Sequence, residues 1–278
     1  MRVQITYIAS SGKSYNLISD GIRHRKANYH EWEWDPETTK LQYGERVAGW
    51  SKGPGAYETE LQFYGSEKQR RELIDSLHDD FERDLRNNNP GRIIWGDYYL
   101  DCFIRKSSTA PDENHTWTAN KIEIYAPYPF WMQEVDIQLA ASQISGGGFL
   151  DYEYDYEYDY AAPVMGTKLV KSNFPFESEF IMSIYGQAVN PRIVINGYSY
   201  ILYTTIPAGC YVVIDSRKRT ITLYSGGNRT NLFNFRNKTD SIFKKIPGGN
   251  LTITWDSSFG ADIKIFHERS EPRIEVAT

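Results

Sequence analysis

The alternation of apolar and polar residues predicts a β-rich N-terminal region. In "RVQITYIA" (residues 2–9) and "YETELQFYG" (57–65), apolar or β-branched residues recur at every second position. This period of two is typical of a strand with one buried face. "YHEWEWD" (29–35) alternates in the same way, and we expect Pro36 to close that strand. The glycines and proline of "GWSKGPGAY" (49–57) predict a loop.

One segment of the N-terminal half has the period of an α-helix. The stretch "SEKQ" has the form of a capping box, in which Ser66 and Gln69 satisfy each other's backbone donors. "NNNPG" (87–91) predicts the end of the helix. The residues expected to form its buried stripe are Leu73, Ile74, Leu77, Phe81 and Leu85.

Strands are also predicted beyond the helix. "RIIWGDYYLDCFIR" (92–105) reads as a hairpin that turns at Gly96-Asp97, and "TWTANKIEIYAPYPFW" (116–131) as a further strand. From Lys168 onward, short apolar runs separated by turn residues predict about eight strands and no helix. The predicted fold class is therefore mainly β, with one helix in the N-terminal half and a two-sheet sandwich or jelly roll in the C-terminal half.

The sign of the charge changes along the chain. Residues 1–150 carry 17 basic and 22 acidic side chains, residues 151–160 carry five acids and no base, and residues 161–278 carry 14 basic and nine acidic ones. Such a change is typical of a domain boundary. The predicted division is an N-terminal domain over 1–140, a linker over 141–162 and a C-terminal domain over 163–278.

The linker contains "DYEYDYEYDY" (151–160), in which carboxylates and tyrosines alternate strictly. As a strand, this segment would place all acids on one face and all tyrosines on the other. Calcium binding is one hypothesis, but acids about 6.6–6.8 Å apart along a strand form a row rather than the cage that calcium requires. We therefore expect a connecting strand that packs through one face. Its predicted interdomain packing residues are Tyr152, Tyr154, Tyr156, Tyr158 and Tyr160.

Composition excludes several classes of protein. The formal net charge of −5 argues against binding of nucleic acid through its phosphates, and no apolar run approaches the roughly 20 residues of a membrane helix. The N-terminus has no signal-peptide pattern, so cytoplasmic synthesis is expected. Cys102 and Cys210 are far apart and lack partners at metal-ligand spacing, which favours two buried free thiols.

No catalytic constellation can be identified in the sequence. The five histidines include no pair at the i, i+4 spacing of a helical zinc site, and His78 is expected beside Asp79 and Asp80 on a solvated helix face. There is no "GxSxG", Walker or "GxGxxG" motif. Glycoside hydrolysis needs only two converging carboxylates, which a sequence cannot reveal. We predict a protein that is not an enzyme and has no cofactor and no metal.

Aromatic residues leave two interpretations open. A C-terminal sandwich that exposes tyrosines and tryptophans could stack on sugars, so a carbohydrate-binding module is the alternative function. In the N-terminal half, Trp32, Trp34 and Trp50 fit either ordinary core packing, which is favoured because tryptophan is usually buried, or a contact surface. The aromatic residues relevant to sugar binding are Tyr198, Tyr200, Tyr203, Tyr211, Tyr224 and Trp255.

Several short patterns, taken in order, resemble a known family. They are "GKSYNL", "APYPFW", the alternating segment 151–160, "YGQAVNPRIVINGY", "IPAGCYVVID", "IPGGNLTITW" and "HERSEPR". Together they resemble the distal tail proteins of long-tailed bacteriophages over nearly the whole chain. The resemblance implies an N-terminal split β-barrel with one α-helix and a C-terminal galectin-like β-sandwich.

The resemblance also implies a structural role in the phage or prophage virion. The N-terminal domains of such proteins form a hexameric ring that continues the tail tube, so self-association as a homo-hexamer is expected. The expected partners are the tail tube protein, a tail-tip protein and a receptor-binding protein, with no nucleic acid and no membrane. The protein would then be an adaptor in the baseplate hub of the tail.

Overall fold

The computed structural model describes residues 4–19, 21–111, 116–141 and 165–273. The chain is mainly β-structure and divides into two units. The N-terminal unit contains Met1–Gln133 together with Glu268–Thr278, and the C-terminal unit contains Glu134–His267. Within the described ranges, no helix is both long enough and apolar enough to span a membrane.

The N-terminal unit contains ten strands and one α-helix, numbered in chain order, and its last strand runs across the boundary between the units. These elements are β1 (Ile5–Ile8), β2 (Ser14–Asn16), β3 (Ile22–Ala27), β4 (Asp35–Lys40), β5 (Glu45–Ser51), β6 (Gly55–Tyr64), α1 (Glu67–Arg86), β7 (Gly91–Trp95), β8 (Tyr98–Pro111), β9 (Trp117–Ala126) and β10 (Trp131–Leu139).

The long strand β8 connects two sheets of this unit. Its first part pairs with β7, which pairs with β1 and through it with β2; its later part continues the series β9, β6 and β3. The pairing with β9 begins at Phe103, and a register shift between Ile104 and Lys106 follows directly. The alternation predicted for 57–63 is confirmed, because Tyr57, Thr59, Leu61 and Phe63 are all buried.

Helix α1 begins and ends where the sequence predicts. Ser66 and Gln69 form the capping box, and Asn87 is the C-cap. Ile74, Leu77 and Phe81 of the predicted stripe are buried, but Leu85 is exposed. The buried face is shifted and contains polar side chains, because Arg70, Asp80 and Asp84 are buried on it.

The segment after β3 differs from its prediction. Residues 29–34 are not a strand; the strand β4 begins at Asp35 and contains Pro36, which was expected to end one. Strands β5 and β6 together cover most of the predicted loop 49–57, of which only 52–54 lack strand structure. The strands β4 and β5 pair with each other alone, and we call residues 35–51 the arm. Proline is tolerated there because an edge strand has free backbone positions.

The C-terminal unit contains eleven strands, of which about eight were predicted, and its only helical element in the described part is a 3₁₀ turn at Phe233–Phe235. The strands are β11 (Met165–Val170), β12 (Glu179–Tyr185), β13 (Ala188–Val189), β14 (Arg192–Ile195), β15 (Tyr198–Ile201), β16 (Thr205–Ile206), β17 (Tyr211–Asp215), β18 (Thr220–Ser225), β19 (Asn228–Asn231), β20 (Leu251–Asp256) and β21 (Ala261–Arg269).

Two sheets share the core of the C-terminal unit. One has the order β19-β18-β17-β12-β21-β10 and the other the order β11-β20-β14-β15. Buried side chains from both, such as Phe180 and Ile214 of the first and Ile193 and Ile253 of the second, belong to one apolar cluster. Antiparallel pairing with alternating burial explains why the strands were predictable from period two.

The two cysteines are free, and only one is fully buried. Cys102, on β8, has no exposed surface, and burial raises the pKa of its thiol above the usual range. Cys210, which directly precedes β17, is only partly buried, so the expectation of burial is wrong for it.

Candidate interaction surfaces

Helix α1 is fixed to the β1–β2 hairpin by buried carboxylates. Asp84 accepts hydrogen bonds from the Tyr7 hydroxyl and from the Ser10 hydroxyl and backbone N–H, the latter two at 2.6 and 3.0 Å. A Cβ at Gly91 would lie 2.7 Å from the Tyr7 ring and from Asp84 Oδ2, so glycine is required for this approach. A buried carboxylate surrounded by donors makes a rigid attachment.

A second carboxylate repeats this arrangement one turn earlier. Asp80 accepts from the Tyr15 hydroxyl and from the Ser11 hydroxyl at 3.2 Å, and it forms an ion pair with Arg83. Burial and hydrogen bonding raise the pKa of the Tyr15 hydroxyl. The two carboxylates are structural, because all of their described partners belong to the same unit.

His78 does not lie on a solvated face, which corrects the prediction. Its Nε2 lies 2.6 Å from Asn120 Nδ2 and 3.1 Å from the Ser107 hydroxyl, so it faces the sheet between β8 and β9. Burial lowers the pKa of His78, against the opposing effect of three helix carboxylates led by Asp75. Its neighbour Asp79 is exposed, as expected, whereas Asp80 is buried.

One face of the arm carries exposed apolar side chains near its base and a charged pair near its tip. In its register Pro36 is opposite Trp50, Thr38 is opposite Val47 and Lys40 is opposite Glu45, so these six side chains share one face. Trp50 is 59% exposed and Val47 is 47% exposed.

The opposite face of the arm is polar, and its tip adds further exposed apolar surface. The polar face has Glu37, Thr39 and Arg46. At the tip, Leu41 and Tyr43 are exposed, Tyr43 to 86%. Both faces of the arm thus carry polar side chains, and almost every residue along it is exposed.

The base of the arm is attached to the N-terminal unit. Trp34, which precedes β4, packs on Phe130 at 5.8 Å between ring centroids, and its Nε1 donates to Ser270 Oγ at 3.3 Å. Lys52, which follows β5, donates to the Pro129 carbonyl at 2.9 Å and lies 4.7 Å from the Phe130 ring centroid. Burial lowers the pKa of Lys52 to about 8. Both ends of the arm are thus held at one place.

These positions decide between the two interpretations of the tryptophans. Core packing is wrong for Trp32 and Trp50, which are both more than half exposed. Trp34 is partly buried at the base of the arm. The contact-surface interpretation therefore has direct geometric support for Trp32 and Trp50.

The C-terminal unit has a row of aromatic side chains across one sheet. Tyr185, Tyr211, Tyr224 and Arg229 are successive register partners on β12, β17, β18 and β19. The Tyr211 and Tyr224 rings are nearly parallel, at 6° and 4.9 Å between centroids, and the Arg229 guanidinium lies 5.4 Å from the Tyr224 ring centroid. At the end of the row, the Tyr185 hydroxyl donates to Asp262 at 2.7 Å. The ring faces are therefore largely occupied within the row.

The remaining candidates for sugar stacking are mostly unavailable. Tyr200 and Trp255 are buried in the core, and Tyr198 is half-buried with its hydroxyl donating to the Ser241 carbonyl at 2.8 Å. Only Tyr203 is more than half exposed.

The predicted packing residues of the linker lie outside the described residues. This holds for Tyr152, Tyr154, Tyr156, Tyr158 and Tyr160. Within the described part of the chain, no group of three or more histidine, cysteine or acidic side chains could hold a metal ion.

Comparison with solved structures gives likeness along the whole chain. The Dit protein of phage SPP1, described as a hub of the adsorption apparatus in phages that infect Gram-positive bacteria, superposes with a TM-score of 0.62 over 95% of this chain and 99% of that chain, at 10% identity. The chain therefore has the fold of a phage distal tail protein.

The same fold occurs in the phage P2 baseplate in its activated conformation. A chain of the calcium form gives a TM-score of 0.62 over 98% of this chain and 100% of that chain, at 14% identity. The strontium form gives 0.61 over 98% and 100%, at 13% identity. No family model and no curated protein sequence matches the chain. Because the sequence identities are so low, these comparisons show that the chain shares the fold of distal tail proteins, and they show the fold alone.

Proposed function

We propose that this protein is a structural distal tail protein in the virion of a phage or prophage. It acts as the adaptor of the baseplate hub, between the tail tube and the adhesion or receptor-binding apparatus. The observation that carries the proposal is the end-to-end likeness to tail hub and baseplate chains, in which almost no residue of either chain is left over.

In this proposal the two units have different roles. The N-terminal domain, predicted over 1–140, is a split barrel whose copies form a hexameric ring, and the C-terminal domain, predicted over 163–278, is a galectin-like sandwich that faces outward. The exposed aromatic side chains of the arm support a self-contacting N-terminal domain, because tyrosine and tryptophan dominate the energetics of protein interfaces. The protein is not an enzyme in this role.

The proposed partners follow from the position in the tail. Besides further copies of itself, the protein contacts the tail tube protein, a tail-tip protein and a receptor-binding protein. The hub is made in the bacterial cytoplasm and is then incorporated into the particle.

Electron microscopy of the purified protein tests this function. We expect six-fold rings of two-domain subunits, and labelling of intact particles with an antibody against this chain should mark the tip of the tail. Labelling confined to the head, or found only in unassembled fractions, would contradict the proposal.

Carbohydrate binding is the alternative function and has less support. A sugar stacks on an open ring face, whereas Tyr211 and Tyr224 cover one another and Tyr200 and Trp255 are buried. Binding of the full chain to a glycan array, lost in Tyr203→Ser, would favour the alternative.

We also propose that the linker tyrosines pack against one of the domains. Their strict alternation with acids permits one apolar and one charged face. Replacing Tyr154, Tyr156 and Tyr158 by serine should make the linker more sensitive to protease. Unchanged resistance to limited proteolysis would count against this packing role.

A further inference from the structure

The C-terminal unit exposes a cluster of apolar side chains at one of its ends. They are Val189 on β13, Tyr203 after β15, and Phe233 and Phe235 in the 3₁₀ turn, and we call these four residues the apolar patch. Val189 is the register partner of Thr205, which lies two positions after Tyr203. The Tyr203 N–H in turn donates to the Phe235 carbonyl at 2.7 Å, so the three segments adjoin. A group of exposed apolar side chains, unlike a single one, indicates a contact surface.

The chain around the apolar patch is rich in bases. Residues 186–238 contain seven lysine and arginine side chains but only one acid, Asp215. One of these bases lies on the patch itself, since the Arg236 guanidinium is 3.7 Å from the Phe233 ring centroid. Just beyond this range, Asp240 accepts a hydrogen bond from a neighbouring asparagine at 3.4 Å. The surroundings of the patch therefore favour an acidic occupant, because opposite charges attract across an interface.

The chain itself contains a segment of complementary composition. Residues 151–160, which lie outside the described residues, have five acids, five tyrosines and no base. Tyrosine is among the side chains that contribute most to the energetics of interfaces. The segment thus combines aromatic anchors with a charge opposite to that around the patch.

The strand that follows this segment begins at the end of the unit that carries the patch. Met165, the first residue of β11, is the register partner of Asp256, the last residue of β20. One position further along, a row crosses all four strands of this sheet, from Gly166 through Trp255 and Ile193 to Tyr200. Three strand spacings make this row about 14 Å wide. In the antiparallel register, the residues before Met165 and those after Tyr200 lie at the same end of the sheet.

The length of the chain allows the segment to reach the apolar patch. Tyr160 precedes Met165 by five residues, so the two are at most about 17 Å apart. This reach is comparable to the width of the sheet between β11 and β15, the strand that leads to Tyr203.

The residue before the stretch 142–164 also lies near the patch. A Cβ at Gly260 would lie 3.7 Å from the backbone nitrogen of Ala141. The Gly260 carbonyl accepts from the Tyr185 N–H at 3.0 Å, and Tyr185 precedes Val189 by four positions. Both ends of this stretch are therefore on the side of the unit that carries the patch.

We propose that residues 151–160 bind the apolar patch of their own chain. The tyrosines contact the apolar side chains, and the acids lie towards the surrounding bases. Because both ends of the segment are joined to the same unit, its effective concentration at the patch is high and a weak contact is sufficient. The contact requires no other protein, so it is independent of the proposed role in the tail.

Limited proteolysis of the full chain tests this contact. Chymotrypsin cleaves after tyrosine, and cleavage inside residues 151–160 requires that the segment leave the patch. In Tyr203→Ser/Phe235→Ser, we expect the initial rate of this cleavage to be at least about 10-fold higher than in the wild type, because the aromatic contacts are lost. Mass spectrometry identifies the cleaved bonds, and thermal unfolding followed by circular dichroism shows whether the variant is folded.

A matched control removes an exposed apolar side chain outside the patch. Leu169 on β11 is 74% exposed and belongs to the same unit, so Leu169→Ser should be cleaved at the wild-type rate. Cleavage of Leu169→Ser as fast as that of the patch variant would mean that the segment lies on β11, and would contradict the proposal.

A second variant tests the charges and keeps every tyrosine. Each cleavage rate is divided by that of a free peptide with the same sequence, which removes the effect of the sequence on the protease. We expect the variant to lose most of its protection, and the wild-type protection to fall as salt rises from about 50 to about 500 mM. Full protection in the variant would contradict the role of the acids. The substitutions are Asp151→Asn, Glu153→Gln, Asp155→Asn, Glu157→Gln and Asp159→Asn.

Three further outcomes would overturn the proposal and leave the role in the tail unchanged. If the wild-type segment is cleaved as fast as the free peptide, or if Tyr203→Ser/Phe235→Ser is protected like the wild type, residues 151–160 do not bind the patch. Protection that increases with protein concentration would assign the patch to a second copy and contradict binding within one chain. Six-fold rings and labelling of the tail tip are expected in each of these cases.

Discussion

Helix α1 and the arm are both excursions from the sheets of the N-terminal unit, and they are attached in opposite ways. The helix is attached along its length, and two of its carboxylates, Asp80 and Asp84, are almost completely buried. The arm is attached only at its base, and its tryptophan Trp50 is mostly in water. Charge is inside in one element, and an aromatic ring is outside in the other.

The difference shows that a side chain is placed by its partners rather than by its polarity alone. A carboxylate can be buried where hydroxyl donors surround it, as Tyr7 and Ser10 surround Asp84. Trp50 remains mostly exposed, because the two-stranded arm buries neither of its faces. The helix is therefore fixed to the rest of the unit along its buried face, whereas the arm is exposed.

The largest expected effect comes from the helix. Asp84→Ala leaves the Tyr7 and Ser10 hydroxyls without their acceptor in a buried site, so we expect the free energy of unfolding to fall by about 3 kcal/mol or more. Urea unfolding followed by circular dichroism measures this loss.

The neighbouring Asp79 provides a control for the same helix. It is exposed, so Asp79→Ala should change the free energy of unfolding by less than about 0.5 kcal/mol. Equal losses in the two variants would mean that the hydrogen bonds of Asp84 do not fix the helix.

The existence of the helix was predictable, but its buried polar face was not. The capping box at Ser66 and Gln69 specifies where the helix begins, and the apolar period indicates which side of it faces the core. The apolar period predicts that Leu85 is buried, whereas in the structure Leu85 is exposed and its neighbour Asp84 is buried. Asp84 is buried because it pairs with Tyr7, and the sequence does not reveal this long-range pairing. Only the fold brings residues 77 positions apart into contact.

The arm was missed for a related reason. The segment "EWEW" has a period of two, but the structure has no strand there. In β5, the register shift opposite Glu37 and Thr38 puts Val47 and Trp50 on one face although they are three positions apart, so the period of two is broken. The sequence did contain a signal for the turn, namely Gly44, which closes the tip of the arm with a φ of 78°. However, the glycines within residues 49–57 favoured the prediction of a loop in place of the second strand of the arm.

A smaller effect distinguishes helix α1 from the arm through the dependence of the unfolding free energy on pH. Burial lowers the pKa of His78, so as pH falls below about 6.5 the unfolded chain takes up the proton first and the helix loses stability. Because His78 is only partly buried, solvent screening should keep this contribution small beside that of Asp84. His78→Gln should therefore give a shallower fall in unfolding free energy between pH 7 and 5.

The arm supplies the comparison for this titration. Val47→Ser/Trp50→Ser changes no titratable group, so its unfolding free energy should follow the wild-type dependence on pH. A pH dependence of His78→Gln that parallels the wild type would contradict the role assigned to His78.

The smallest expected effect comes from the base of the arm and has its window at alkaline pH. Burial lowers the pKa of Lys52 to about 8, whereas in the unfolded chain the ammonium retains its proton to about 10.4. Between these values the unfolded chain binds more protons, so stability rises with pH. Because Lys52 is partly exposed, solvent screening should keep the gain well under about 1 kcal/mol.

Comparison with Lys52→Met isolates this contribution. The wild type should gain stability relative to Lys52→Met between pH 8 and 10, and parallel unfolding curves would contradict the assignment.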